Sequence, residues 1–416
     1  MTESGDREAG GKPDDAVEPI RWRAASLGVV VIAVTILPAF LTGALGVQIG
    51  DELGLDLTGI GGLYGVLFGT SAVVSARTGR LVQHWGWEAG IRLSAGGTGL
   101  ALMALAVFPG TWWADWWPVA LVFAFAGVTA AASQAGSNLA LARSVPSGRY
   151  GFVFGLKHTA VPVAAILGGL AVPTIALTVG WRWAYVVAAA IAFATALAVP
   201  ARRDPVPPPR RTTLPHQYLR TPVPTLVALA VAATLAHTGL DAIGAFVVPF
   251  AVSVGVAEGS AGILLTIGSL AGLIVRLTSG WLVDRRQHTG LPWIAALLFV
   301  GSLGFLVLAL GGSALLVLGV LLAFAGGWGW AGLLTFIVVR ANPGAPATAT
   351  GIVNTGKYVG AAAGPALVGY MAEQASFSVA WWVACGFLFL AAIIVTAVRL
   401  TPAGTEMADP PFKGTK

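Results

Sequence analysis

The sequence predicts an all-α membrane protein with twelve transmembrane helices in two pseudo-symmetric six-helix bundles. Three observations carry this. Hydrophobic residues make up 56% of the 416-residue chain and charged residues only 10%, well under the roughly 25% of a soluble domain. The apolar residues gather into runs near the length of about 20 residues that a membrane helix needs. One proline- and arginine-rich stretch parts those runs six from six.

The twelve runs cover residues 24–48, 59–78, 91–109, 118–141, 151–177, 183–200, 225–252, 259–280, 291–311, 313–339, 349–372 and 379–398. Backbone groups in lipid must pair within their own segment, so each run is expected to be a helix. A polar, acidic tail (1–20) precedes the first run, whose apolar core is too long for a cleaved signal peptide. Residues 21–200 form the first expected bundle and 225–398 the second. Between them 201–224 (ARRDPVPPPRRTTLPHQYLRTPVP) reads as an extended cytoplasmic linker, and 399–416 as a cytoplasmic tail.

Lysine and arginine set the expected orientation. Arg21, Arg23, Arg80, Arg92, Arg143, Arg149, Arg202, Arg203, Arg210, Arg211, Arg220, Arg285, Arg286, Arg340 and Arg399 all fall on one side of the runs. The opposite connectors carry Asp51, Glu52, Asp56, Asp115, Glu258 and Glu373 with one base, Arg182. Both termini are therefore expected in the cytoplasm, in a multi-pass protein of the cell membrane. Trp112, Trp113, Trp116, Trp117, Trp181, Trp183, Trp381 and Trp382 fall at the expected outer interface.

The net charge of +6 sits mostly in short connectors between apolar runs, so nucleic acid is not an expected partner. The single cysteine, Cys385, allows no intrachain disulfide. No nucleotide-binding glycine loop, HExxH or cluster of metal ligands is present, so no enzyme, cofactor or metal is expected.

The two halves align with each other. Gly79-Arg80-Leu81-Val82 matches Gly280-Trp281-Leu282-Val283, Arg143 and Pro146 match Arg340 and Pro343, and Lys157 matches Lys357. Parallel six-helix halves can build a midplane binding site where they meet. The string Gly280-Trp281-Leu282-Val283-Asp284-Arg285-Arg286 resembles the G-x-L-x-D-R-x signature of the major facilitator superfamily, which recurs in its 2–3 and 8–9 loops. The first copy keeps Gly79 and Gly86 but has Gln83 in place of the usual aspartate. The resemblance covers about residues 20–400. It implies a secondary transporter in which Asp284 with Arg285 or Arg286 latches one facing state, with a weaker latch in the first half. Gly327-Trp328-Gly329-Trp330 and Gly155-Leu156-Lys157-His158 resemble the cyanate/nitroimidazole-type branch.

Charges within the apolar runs point to function, because each costs several kcal/mol unless it pairs or faces water. Lys157, Lys357 and Arg276 are basic, and Asp241 is the one acid among them. One carboxylate cannot neutralise three cations. An anion site between Lys157 and Lys357 is therefore expected, against the plainer reading of structural pairing or snorkelling. Arg276 can snorkel, pair with Asp284, or bind a carboxylate. The last follows from resemblance to monocarboxylate-type transporters, which carry an arginine four residues before this loop's glycine. It follows also from the oxalate/formate exchangers, which combine a helix 8 arginine with a helix 11 lysine. Asp241 either holds its helix in register through Lys357 or His237, or carries a proton. His237 precedes it by four residues and shares its face.

Gln134 and Asn138 share a face, aimed at the cavity or at a neighbouring helix, and Tyr64 is a candidate donor. Trp328 and Trp330 lie near a helix centre but point about 200° apart, so one of them is expected to reach the cavity. Gly356, Gly360 and Gly364 form a small-residue stripe for close helix approach. Pro38 and Pro162 are candidate bends.

The resulting expectation is a proton-coupled or exchanging transporter of a small organic or inorganic anion. Its partners are the anion, protons and the bilayer, and a monomer suffices to form the pathway. A drug/proton antiporter is the first alternative. Its usual G-P-x-x-G-like signature on helix 5 is missing, and the nearest string is Gly364-Pro365 with Gly369. A non-transporting membrane receptor is the second.

Overall fold

The computed structural model describes residues 22–108, 110–111, 115–144, 157–200, 219–285 and 290–408. Side chains at 142–144, 283–285, 406 and 408 lie outside that description. The chain opens with α1 (Trp22–Ala44), short α2 (Gly46–Leu53), α3 (Leu57–Trp85), α4 (Trp87–Val107) and α5 (Trp117–Ser144). Next come α6 (Ala160–Ala171), which continues through a π-helical turn (Val172–Ala176) and a last turn (Leu177–Val179), and α7 (Trp181–Ala198). Beyond the linker lie α8 (Val223–Ser253), α9 (Glu258–Arg285), α10 (Gly290–Leu310), α11 (Ser313–Gly329), α12 (Ala331–Ala341), α13 (Pro346–Gln374), α14 (Phe377–Arg399) and α15 (Pro402–Ala408).

Eleven helices among the described residues are long and apolar enough to cross a membrane, so the chain is a multi-pass helical membrane protein. α13, which contains the eleventh run, has the length at 29 residues. It is not one of the eleven, because Lys357 and its polar neighbours dilute the apolar stretch. The helices also outrun the apolar stretches. The second run ends at 78, yet α3 continues to Trp85, and α9 likewise passes the end of its run. Gly79 and Gly280 therefore lie inside helices with open space around them, rather than in loops. The tenth run is broken at Trp330, between α11 and α12. Pro38 sits inside an unbroken α1.

Helix packing follows the glycines. Gly356, Gly360 and Gly364 of α13 face Ala230, Thr234 and Thr238 of α8, respectively. Both series advance by four residues, so the two helices run parallel with backbones in close approach. Gly61 and Gly65 of α3 face Pro365 and Ala362 of α13, Gly169 of α6 faces Gly262 of α9, and Gly43 of α1 faces Ala245 of α8. These contacts join helices before the linker to helices after it.

Interfacial tryptophans divide into two kinds. Trp117, Trp183 and Trp382 are exposed. Trp181 and Trp381 are buried: the first donates to Glu52, and the second packs against Phe250, Phe305 and Phe377. Trp112 and Trp113 lie outside the described residues.

Candidate functional site

A cavity of about 620 Å³ lies between the helices, and eight of the nine expected binding and proton-coupling residues line it. Gln134, Asn138, Lys157, Arg276, Trp328 and Lys357 line it, together with Asp241 and His237. Its wall is otherwise largely apolar, with Ile32, Ile36, Phe40, Phe68, Leu240 and Phe336. It reaches the surface at the start of α13, where Pro346 and Ala347 are exposed. The glycine contacts between helices on either side of the linker sit toward the other end. They involve the first half of α3 (Gly61, Gly65) and the second half of α13 (Ala362, Pro365). The protein is thus open at the α13 N-terminal face and closed at the opposite one.

Two residues singled out from sequence lie elsewhere. Tyr64 is fully buried behind the wall, in ring contact with Phe40 and Phe68, and its hydroxyl has no hydrogen-bond partner. Trp330 is buried against the His237 ring, while Trp328 takes the cavity position. Asp284, Arg285 and Arg286, the expected latch, have side chains outside the described residues.

The cationic side chains are held by neutral oxygens. Lys157 Nζ donates to Asn138 Oδ1 at 2.5 Å. Lys357, buried, donates to Thr335 Oγ1 at 2.7 Å and to the Ala331 carbonyl at 3.2 Å. Arg276, also buried, donates from Nε (2.8 Å) and Nη2 (2.5 Å) to the Trp328 carbonyl and from Nη1 to the His158 carbonyl. Asp241 Oδ2 meets His237 Nδ1 at 2.9 Å, while His237 Nε2 is buried with no hydrogen-bond partner. Asp241 is the only carboxylate among the described lining residues.

Several lining residues escaped the sequence reading. His158 lines the same cavity as Lys157, Lys357, Arg276 and His237. Thr335 and Asn354 offer neutral polar atoms to the same space. Arg340 reads as a loop residue from sequence but lies in the last turn of α12 and lines the cavity. His158 follows Lys157 directly, and Asn354 lies one helical turn before Lys357 on the same face, so both were within reach of sequence reasoning. Thr335 and Arg340 lie on α12, and only helix packing brings them to the lysines.

The face opposite the mouth carries polar contacts of its own. Glu52 of α2 accepts from Arg182 Nη1 (2.5 Å) and Trp181 Nε1 (2.7 Å) of α7, and these two bonds hold its carboxyl below the usual carboxylate range. Glu373 of α13 accepts from the Leu57 amide of α3 at 3.1 Å.

The architecture and the charged central cavity define a polytopic transporter-like membrane protein, and comparison with known sequences gives the family. Residues 24–314 and 229–416 match the profile of the Major Facilitator Superfamily, so the chain belongs to that superfamily. It is 28% identical over 346 residues to an uncharacterised MFS-type transporter of Mycobacterium tuberculosis (strain ATCC 25618 / H37Rv), covering 79% of this chain and 74% of the relative. A counterpart from strain CDC 1551 / Oshkosh is 27% identical over the same share. The crystal structure of a bacterial homologue of the human lysosomal transporter Spinster, in an inward-facing and occupied conformation, superposes with a TM-score of 0.67. That match covers 92% of this chain and 97% of the other at 14% identity, a likeness of fold.

Proposed function

We propose that the chain is a secondary active transporter of a small anion, an organic carboxylate or a cyanate- or nitrate-like ion, working by alternating access and coupled to protons. One observation carries the reading. Lys157, Lys357, Arg276 and Arg340 face one cavity with a single carboxylate, Asp241, among the described lining residues, and neither lysine ends on it. Charge held away from water costs several kcal/mol unless a counter-charge arrives. An anion entering between the two lysines supplies that counter-charge. Asn138 and Thr335 aim the ammonium groups, Gln134 and Trp328 border the anion, and Arg276 adds to the positive field. Tyr64 acts through packing beneath Phe40. Asp241 and His237 are the proton carrier. They form one hydrogen-bonded pair, and the buried Nε2 has no hydrogen-bond partner of its own.

The same proposal takes α13 as a twelfth span and residues 21–200 and 225–398 as the two moving bundles. It places both termini in the cytoplasm and a monomer in the cell membrane. Arg23, Arg92 and Arg340 lie toward the mouth, and Glu52, Asp56 and Glu373 toward the closed face, which supports that orientation. The cavity then opens to the cytoplasm. Gly79, Gly280, Asp284, Arg285 and Arg286 form the cytoplasmic gate.

A drug/proton antiporter is the second reading, favoured by the aromatic wall of Phe40, Phe68, Trp328 and Phe336. A thermal-stability screen of the purified protein separates the two, since a ligand of the folded state raises Tm by mass action. Stabilisation by mono- or dicarboxylates, cyanate or nitrate that is lost in Lys357→Ala supports the anion transporter. Stabilisation by lipophilic cations alone, kept in Lys357→Ala, replaces it with the antiporter.

A further inference from the structure

Arg276 is the most fully engaged cation in the cavity, and its partners are backbone carbonyls rather than side chains. Both carbonyls lack their helical donor for reasons written in the sequence. The His158 carbonyl would accept from the residue four positions on, which is Pro162, and proline has no N–H. The Trp328 carbonyl lies in the last turn of α11, where the helix breaks at Trp330 and carbonyls are left open. A guanidinium is a planar fork with donors on several edges, so one side chain serves both. His158 belongs to the segment leading into α6, before the linker, while Arg276 and Trp328 belong to α9 and α11, after it.

We propose that Arg276 is a positioning residue: it clamps two orphaned carbonyls, made by Pro162 and by the Trp330 break, and so ties the inner start of α6 to α9 and α11 across the central cavity. The clamp fixes how far the two sides part when the mouth is open. It holds whatever the protein carries, so it stands apart from the anion reading. The geometry explains why an arginine is buried here at all. Without it, two carbonyls would face a low-dielectric interior unpaired, each a desolvation cost.

The test is a double-mutant cycle in the full-length, detergent-purified protein. Cys385→Ser removes the native thiol, and Thr350→Cys, at the cavity mouth, reports opening by its rate of maleimide labelling. Arg276→Ala is measured with and without Pro162→Ala, together with Tm. Pro162→Ala returns an N–H to the helix and gives the His158 carbonyl its own donor. The expected result is that Arg276→Ala changes the labelling rate by about tenfold or more in the Pro162 background, the size expected for a lost charge-assisted hydrogen bond. In the Pro162→Ala background the change is clearly smaller. Arg276→Lys, which keeps the charge but loses the fork, follows Arg276→Ala. Strictly additive effects, or full rescue by lysine, overturn the clamp. If Arg276→Ala alone does not yield folded protein, recovery on adding Pro162→Ala is the predicted rescue, and failure in both backgrounds counts against it. Anion-induced Tm shifts, read separately, decide the anion site and are not needed for this outcome.

Discussion

His237 Nδ1 lies 2.9 Å from Asp241 Oδ2, one helical turn away on the same face of α8, and both side chains border the central cavity. The carboxylate is thus engaged by imidazole, while the lysines of the cavity bond to neutral oxygens. Neutralising Asp241 removes the one carboxylate among the described lining residues. Asp241→Asn is expected to abolish accumulation driven by a pH gradient while leaving substrate exchange between equal pH values. Liposome uptake with and without the gradient reads this, and full gradient-driven accumulation in the variant ends the proton-carrier role.

Thr335 aims the Lys357 ammonium through a 2.7 Å hydrogen bond. A hydrogen bond to a charged group is worth about 1.5–3 kcal/mol, so Thr335→Val is expected to weaken anion binding by roughly tenfold or more. Lys357→Ala is expected to remove the anion-dependent Tm rise entirely. Titration of Tm against anion concentration gives both. Equal anion shifts in wild type and Lys357→Ala would leave the lysine a structural role.

Gly360 packs with its α-carbon against the Thr234 carbonyl and the His237 side chain. A methyl there forces α8 and α13 apart, and overpacking of this kind costs about 1–3 kcal/mol. Gly360→Ala is expected to lower Tm by several degrees. Gly351→Ala, on the same helix with open space around it, is the control and is expected to hold or slightly raise Tm, since alanine is the better helix former.

On the face opposite the mouth, Arg182 first and Trp181 second hold the Glu52 carboxyl below its ordinary value. An acid depressed in the folded state stabilises above its unfolded value, near 4.3. The contribution is lost as pH falls through the folded value. The pair is substantially exposed, with side chains 34% and 48% accessible, so the effect is that of a surface bridge, about 0–1 kcal/mol. Glu52→Gln is expected to lower Tm slightly at pH 7 and to converge on wild type as the pH falls through the lowered folded value. A Tm difference that does not shrink as the medium is acidified would assign the effect to the Trp181 contact instead.

Much of the fold was legible in the residues because bilayer length and backbone pairing act locally. The apolar runs became helices, and the small-residue stripe on α13 met α8 as its spacing required. Boundaries were less legible where polar residues continue a helix past the hydrocarbon, as in α3 and α9, or where Gly327, Gly329 and Trp330 break one. Lys157, Lys357, Asp241 and Arg276 stood out from sequence because charge inside an apolar run is costly wherever it points. Helical phase allowed only one of Trp328 and Trp330 to reach the cavity, and packing of Trp330 against His237 left that place to Trp328.

The sequence by itself determined a multi-pass helical protein of the Major Facilitator Superfamily with an excess of buried positive charge. Only the tertiary structure decided the partners. Tyr64 turned into the core, His158 and Arg340 entered the cavity, and Arg276 gave its fork to two backbone carbonyls. The reason is physical. Hydrophobicity and helical phase depend on residues a few positions apart, whereas a hydrogen-bond partner 118 positions away is chosen by how the helices pack.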